Sequence, residues 1–223
     1  MNKQNFTLNF GISKFFDLIV YAHRRKLFNY LFTNSANNFY SSILDIGSTS
    51  DVSTSSNAFL KFFDAPKIIS VSDQEITKAT RNKFPHVDFI YGDGLNLSIE
   101  SSSFDLVFSN AVLEHVGGIK NVSKFIHEAV RVARKEVILI TPNRWFPLET
   151  HTKLFFVHWL PQRFFRRLLK KIGMDFFAQE ENLNLLSVKM LKKLVAELNI
   201  AKYELRYIKF LGMPSNIVLK IYK

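Results

Sequence analysis

A carboxylate or an amide falls at or near the end of each of four apolar runs. Asp45 lies inside "LDIGSTSD", two residues before Gly47, and Asp73 closes "IISVSD". Asp93 stands between Gly92 and Gly94, and Asn110 closes "FDLVFSN". An acid ending the second run, half a βαβ unit after the glycine loop, is suited to accept two hydrogen bonds from ribose hydroxyls. Gly47 lets backbone approach a ligand with no Cβ between them. A dinucleotide is a poor fit. Its pyrophosphate needs G-x-G-x-x-G ahead of a helix N-terminus, and this loop has one glycine. Asp45 and Asp51 would repel a diphosphate and attract an amine, so a zwitterion carrying an ammonium and a carboxylate suits the loop better.

Histidine is the natural base near neutral pH. His115 follows the fourth run at once, and His151 lies in a later aromatic segment; these are the candidate catalytic residues. His158, beside Trp159, reads as structural, as does Asp105 within its apolar run. His86 reads as a turn residue, and His23 and His127 as helix residues at the surface or satisfied in the core. The spacing of Glu149, His151 and His158 matches no strong zinc signature, so no metal is expected.

The elements that position these groups follow from periodicity. Residues 13–32 have apolar positions at helical spacing. Short apolar runs at 42–46, 67–71, 87–91, 104–109 and 136–141 read as strands. Helices are expected at about 57–63, 74–84 and 122–134 between them. Alternation at these lengths means βαβ units and a mostly parallel sheet. The chain ends differently: the runs 203–210 and 216–222 are separated by five residues, too few for a crossover, so they pair antiparallel. A helix at 187–198 precedes them. Residues 143–186 form an insertion at the carboxyl edge of the sheet, where ligands bind in such folds. Within it, 161–172 puts Phe164, Phe165, Leu168, Leu169 and Ile172 on one helical face and Arg166, Arg167, Lys170 and Lys171 on the other.

The 223 residues fit one domain, divided as an N-terminal helical cap (1–40), a ligand-binding half (41–142), an insertion or lid (143–186) and a final helix with hairpin (187–223). Hydrophobic residues make up 47%, enough for a sizeable core. With no cysteine, disulfides, Cys-ligated zinc and a Cys nucleophile are excluded. The apolar run near residue 15 is far shorter than the roughly 20 residues a membrane span needs, and a cytoplasmic location is the expectation. The formal net charge of +11 fits a Lys-rich solvated surface, and also an anionic partner. The basic 161–172 helix has three readings: a solvated lid, a membrane-surface contact, or an anion or nucleic-acid contact. No RNA-binding module appears, so nucleic acid is not an expected partner.

Taken in order, "ILDIGSTSD", "IISVSD", "YGDGLNL", "SSFDLVFSNAVLEHV" and "EAVRVARKEVILITPN", with the closing hairpin, resemble a class I S-adenosylmethionine-dependent methyltransferase of the methyltransferase-type-11 group. The resemblance implies a doubly wound, seven-stranded α/β sheet with a reversed final strand, flanked by helices. It implies S-adenosyl-L-methionine as cofactor and S-adenosyl-L-homocysteine as product. The implied cofactor set is Asp45, Ile46, Gly47, Ser48, Thr49, Ser50, Asp73, Gln74, Gly92, Asp93, Gly94, Leu95, Asn110, Ala111 and Val112. Asp45 and Gly47 would lie at the methionine moiety, Asp73 at the ribose, Asp93 near the adenine amino group, and Asn110 and Ala111 on the sulfonium side. The family more often has a glycine-rich loop where this chain has Ser48, Thr49 and Ser50, whose hydroxyls could replace close backbone approach. Residues 141–161 resemble a subgroup associated with bacterial cell-surface glycan clusters, which implies an oxygen, or second a nitrogen, of a small molecule or glycan as acceptor. The alternatives are a non-catalytic protein that kept the fold, and an RNA methyltransferase.

Overall fold

The structure is a computed structural model that describes residues 10–32, 40–63 and 65–223, with side chains from Leu18 onward. The rest of the expected 1–40 cap, residues 1–9 and 33–39, lies outside the described residues. Seven strands form one sheet: β1 (Ser42–Ile46), β2 (Lys67–Ser72), β3 (Asp88–Tyr91), β4 (Phe104–Asn110), β5 (Ala133–Pro142), β6 (Tyr203–Phe210) and β7 (Met213–Tyr222). Their spatial order is β3-β2-β1-β4-β5-β7-β6. The pairs from β3 to β5 are parallel, and β7 runs antiparallel to both β5 and β6. The expected seven-stranded sheet with its reversed final strand is therefore the observed one.

β1 and β4 are buried along almost their whole length because apolar layers cover both faces. Alternate residues feed the two layers. On one side Leu44, Val107 and Leu139 meet α3 (Ile119–Val132) through Phe125, Ile126 and Ala129, and α5 (Val188–Glu197) through Leu191 and Leu194. On the other, Ile43, Leu106, Phe108 and Ile138 meet α1 (Phe10–Phe32) through Leu27 and Leu31, joined by Phe59 and Phe63. The frequent phenylalanines concentrate here: Phe108 has ring contacts with Phe32, Phe59 and Phe63.

Two expected helices are shorter than their sequence pattern. The stretch 57–63 holds only a 3-10 turn at Ala58–Lys61. Asn57 is left-handed, and its side chain bonds the chain at Thr49, so it cannot cap a helix. α2 spans Lys78–Lys83, starting late because Thr77 supplies the N-cap oxygen to Thr80 N. The insertion has a small core of its own, in which Phe165 and Leu169 of α4 (Gln162–Lys171) pack with Ala178, Leu183 and Leu185. The expected apolar face of 161–172 is split accordingly. Leu168 is half-buried, while Phe164 and Ile172 stay exposed, with the guanidinium groups of Arg163 and Arg167 over the Phe164 ring. Among the described residues no helix is long and apolar enough to cross a membrane.

Phe108→Ala removes a fully buried ring from the aromatic layer and is expected to cost about 3–5 kcal/mol in urea unfolding. A loss below about 1 kcal/mol would show that the neighbouring rings refill the space.

Candidate functional site

The strand order reverses between β1 and β4, since the chain leaves β1 toward β2 and β3 and returns to β4 on the other side. A crevice opens at the carboxyl ends of strands at such a point. Along that edge lie the loop after β3 with Asp93, the end of β2 with Asp73, the Gly47 loop after β1, and Asn110 at the end of β4. Strands sit about 4.8 Å apart, so these four ends span about 14 Å and suit an elongated ligand.

Each candidate has a definite setting. Asp73 and Gln74 are exposed, and the Gln74 N–H donates to Ser72 Oγ at 3.1 Å. Asp93 is exposed and spends one oxygen on the Leu95 N–H at 2.8 Å, which fixes the turn. Asp45 is buried, and Ser70 Oγ donates to it at 2.6 Å. Burial pushes its carboxyl up to about 6, only partly countered by Ser70, with no cationic side chain contributing. Ile46 belongs to the core, and its carbonyl accepts from Ser109 Oγ.

The glycines are packed closely against protein neighbours. Gly47 has φ +105°, and a Cβ there would fall 2.2 Å from Val112 Cγ2. A Cβ on Gly94 would fall 2.6 Å from the Phe125 ring, and one on Gly92 would lie 3.1 Å from Val71 Cγ1. At all three positions a side chain would crowd protein neighbours, so close packing by itself accounts for glycine there. The three hydroxyls of the loop also separate. Ser50 Oγ donates to Glu75 O at 2.6 Å and accepts from Thr77 N. Thr49 Oγ1 accepts from Asp51 N, while the Thr49 backbone N–H and C=O are both held by the Asn57 amide. Ser48 Oγ is buried and has no partner among the described residues. Of the three hydroxyls, Ser48 is the one left for a ligand.

Beyond β4, Ala111 takes a left-handed turn at φ 58°, donates its N–H to Ile140 O, and leads into a short 3-10 turn, Leu113–His115. This turn faces the insertion. Asn184 N donates to Glu114 O at 2.7 Å, and Thr141 Oγ1 donates to Glu114 Oε2 at 3.0 Å. The two expected catalytic histidines, 36 positions apart in sequence, meet here with Nε2 atoms 3.0 Å apart. Glu149 accepts from His151 Nδ1 at 2.7 Å and from the backbone N–H groups of His151 and Thr152. Burial alone would lower the His151 pKa, but the Glu149 hydrogen bond and charge, with the Glu114 charge, hold it above the usual value. The same pairing, with the backbone donors, outweighs burial and holds the Glu149 carboxyl down at about 2.

His158 stands apart from this pair. It is buried, its Nε2 meets Phe146 O at 2.7 Å, and burial lowers its pKa, so it is a neutral structural residue. Asp105 is structural too. It holds Ser41 N and Oγ, Arg134 and Lys135, and although burial would raise its pKa, these partners keep it at about 2. Asn57, Glu114 and Asn182 did not stand out as site residues in the sequence. Glu114 is adjacent to His115 and so was within reach. Asn182 acts through its backbone carbonyl, which no residue type announces.

A model of a methyltransferase domain matches residues 44–141, the span from β1 to β5. No curated protein matches the chain. Solved structures share its fold. A SAM-dependent methyltransferase from Methanosarcina mazei is 15% identical with a TM-score of 0.53, covering 86% of this chain and 96% of that one. The PH0226 protein from Pyrococcus horikoshii OT3 is 15% identical with a TM-score of 0.59, over 91% and 90%. Magnesium protoporphyrin IX methyltransferase from Synechocystis PCC 6803, with bound SAH, is 16% identical with a TM-score of 0.55, over 97% and 89%.

The raised pKa of Asp45 fixes the sign of a pH effect. Between about 4 and 6 the folded chain binds more protons than the unfolded one, so this residue makes stability fall as pH rises through that window. Asp45→Asn abolishes the slope. Relative to the parent, it should gain on the order of 3 kcal/mol between pH 4 and pH 7 in urea titrations. Parallel curves for the two proteins would show that Asp45 has an ordinary pKa.

Proposed function

We propose that the chain is a class I S-adenosylmethionine-dependent methyltransferase of the methyltransferase-type-11 group, and that it transfers the methyl group to an oxygen of a small-molecule or glycan acceptor. The observation that supports the proposed placement of the cofactor best is at the β1 end. Among the described residues a buried carboxylate with no cationic partner, Asp45, stands three positions before a buried hydroxyl with no partner, Ser48 Oγ. An ammonium and a carboxylate on one ligand would satisfy both. When bound, the cofactor supplies a methyl group on a positively charged sulfur. Asp45, Ile46, Gly47 and Ser48 would hold its amino-acid end, with Thr49 and Ser50 shaping the loop. Asp73 and Gln74 would take the ribose, and Gly92, Asp93, Gly94 and Leu95 the adenine. Asn110, Ala111 and Val112 would line the sulfonium side. The acidic edge favours a cationic ligand over a diphosphate in a chain of net charge +11.

An acceptor hydroxyl must lose its proton during transfer. The His115–His151 pair, just beyond the β4 end, is where this chain would handle it. Residues 143–186 would act as a lid that supplies His151. The rings of Trp145, Phe155, Phe156 and Trp159 are substantially exposed, with Phe156 and Trp159 4.9 Å apart and Trp145 and Trp159 6.4 Å apart. Exposed aromatics, among them the amphipathic rings of Trp145 and Trp159, beside a basic helix suit a membrane-water boundary. They support contact of 161–172 with an anionic lipid surface, where a lipid-linked glycan would be met.

Calorimetry tests the cofactor. Both S-adenosylmethionine and S-adenosylhomocysteine should bind, with Asp73→Ala weakening each about 10- to 100-fold and Ser48→Ala about 5-fold. No heat from either ligand at millimolar concentration, or unchanged affinity in Asp73→Ala, would defeat the reading. Vesicle flotation tests the surface contact. Reversing Arg167, Lys170 and Lys171 to Glu should cut binding to anionic vesicles on the order of 100-fold, at about 1 kcal/mol per cation. Equal flotation of parent and variant would remove the membrane from the proposal.

A further inference from the structure

The histidine pair poses a problem of protons. His115 Nδ1 lies 2.7 Å from the Asn182 carbonyl oxygen, which can only accept, so this nitrogen carries the hydrogen. His151 Nδ1 lies 2.7 Å from Glu149 Oε1, an oxygen that also accepts from the His151 backbone N–H, so this nitrogen carries the hydrogen as well. With both rings neutral, the two Nε2 atoms point their lone pairs at each other across 3.0 Å. Lone pairs at that distance repel unless something positive lies between them.

A third donor converges on the same point. Glu114 has a fully buried side chain, and its Oε1 has no hydrogen-bond partner among the described residues. It lies 3.9 Å from His115 Nε2. The ligand atoms of Glu114, His115 and His151 all lie within 4.8 Å of one another. Two ligands at about 2.0 Å from one tetrahedral ion are about 3.3 Å apart, so small shifts bring all three into range.

We propose that Glu114 Oε1, His115 Nε2 and His151 Nε2 form a binding site for one divalent transition-metal ion of the zinc, manganese or iron(II) type. Two imidazoles and a carboxylate are the donor set these ions take, and magnesium or calcium would prefer oxygen throughout. The surrounding groups have the form of a metal site's supporting layer. Each histidine has its second nitrogen fixed, one by a backbone carbonyl and one by a carboxylate, and the other oxygen of Glu114 is held by Thr141. Three protein ligands leave a position open, and the His115 side chain, 35% exposed, gives it access to solvent. The absence of a metal expected from the spacing of Glu149, His151 and His158 is thereby revised. Glu149 supports the site from behind, and Glu114 takes the ligand's place.

The open position would bind an oxygen. On the reading that the chain methylates a hydroxyl, the ion lowers the pKa of that hydroxyl, and its proton leaves to solvent. Metal binding itself does not depend on that reading.

The test uses the full chain, stripped with chelator and titrated with zinc, manganese(II) and cobalt(II). Elemental analysis after desalting should find about one ion per chain, and cobalt should give the visible absorption of a low-symmetry nitrogen-oxygen site. His115→Ala and His151→Ala should each weaken binding at least 100-fold, and Glu149→Gln about 10- to 100-fold. His127→Ala, on the exposed side of α3, should bind as the parent does. His115 lies at the surface, so His115→Ala keeps the test valid if Glu114→Gln fails to fold. Absence of a bound ion, or unchanged affinity in both histidine variants, would overturn the proposal and leave a proton shared between the two rings. Calorimetry with S-adenosylhomocysteine on the same stripped protein separates this failure from failure of the methyltransferase reading.

Discussion

β4 is buried on both faces and flanked by β1 and β5, and most of the site depends on that constraint. A strand so enclosed cannot expose its polar groups along its length, so chemistry is confined to the place where it ends. There the chain must turn at once to stay within the fold. Ala111 takes the left-handed conformation, at a cost of order 1–3 kcal/mol, and the tight turn after it brings Glu114 inward and His115 toward the insertion. Val112, carried by the same turn, fills the space that a side chain at Gly47 would need. The ends of β1 and β4 are thus locked to each other before any ligand binds.

The charges follow the same division between edge and body. The chain is strongly basic, yet the carboxyl edge of the sheet carries Asp45, Asp73 and Asp93. Acids elsewhere in the core have protein partners. Asp105 binds Arg134 and Lys135, Glu136 binds Tyr40 and Lys220, and Glu128 binds Arg131. Among the described residues Asp45 has only a serine, and burial raises its pKa accordingly. An acid kept without a cation where neighbouring acids have one marks a site rather than a structural tie.

The insertion is tied to this centre at both ends. Asn143 bonds the start of β7 through Ser215 O and Pro214 O, and Arg144 N reaches Leu186 O. Asn184 N reaches Glu114 O, so the segment carrying His151 and the turn carrying His115 are held by backbone hydrogen bonds independent of the histidines. Its own small core explains why Phe164 and Ile172 are left outside. Phe165 and Leu169 fill the available apolar space, and among the described residues no further layer covers the helix.

The sequence alone carried the sheet, its reversed last strand and the edge acids. Each follows from local rules: alternation sets strands, a five-residue gap forces antiparallel pairing, and open α/β sheets bind at strand ends. It also singled out His115 and His151, since both are near the carboxyl edge in chain order. It overstated the helices at 57–63 and 74–84 because side-chain hydrogen bonds from Asn57 and Thr77 override propensity, and such bonds depend on partners across the loop. The reason for Gly47 was also out of reach, because its limiting neighbour is Val112, 65 positions away. Tertiary structure alone decided that Ser48 is the free hydroxyl and that the two imidazoles meet with Glu114 beside them. Pattern fixes which groups face the edge. Distances of about 3 Å between groups far apart in sequence are set by packing, and those distances determine the chemistry.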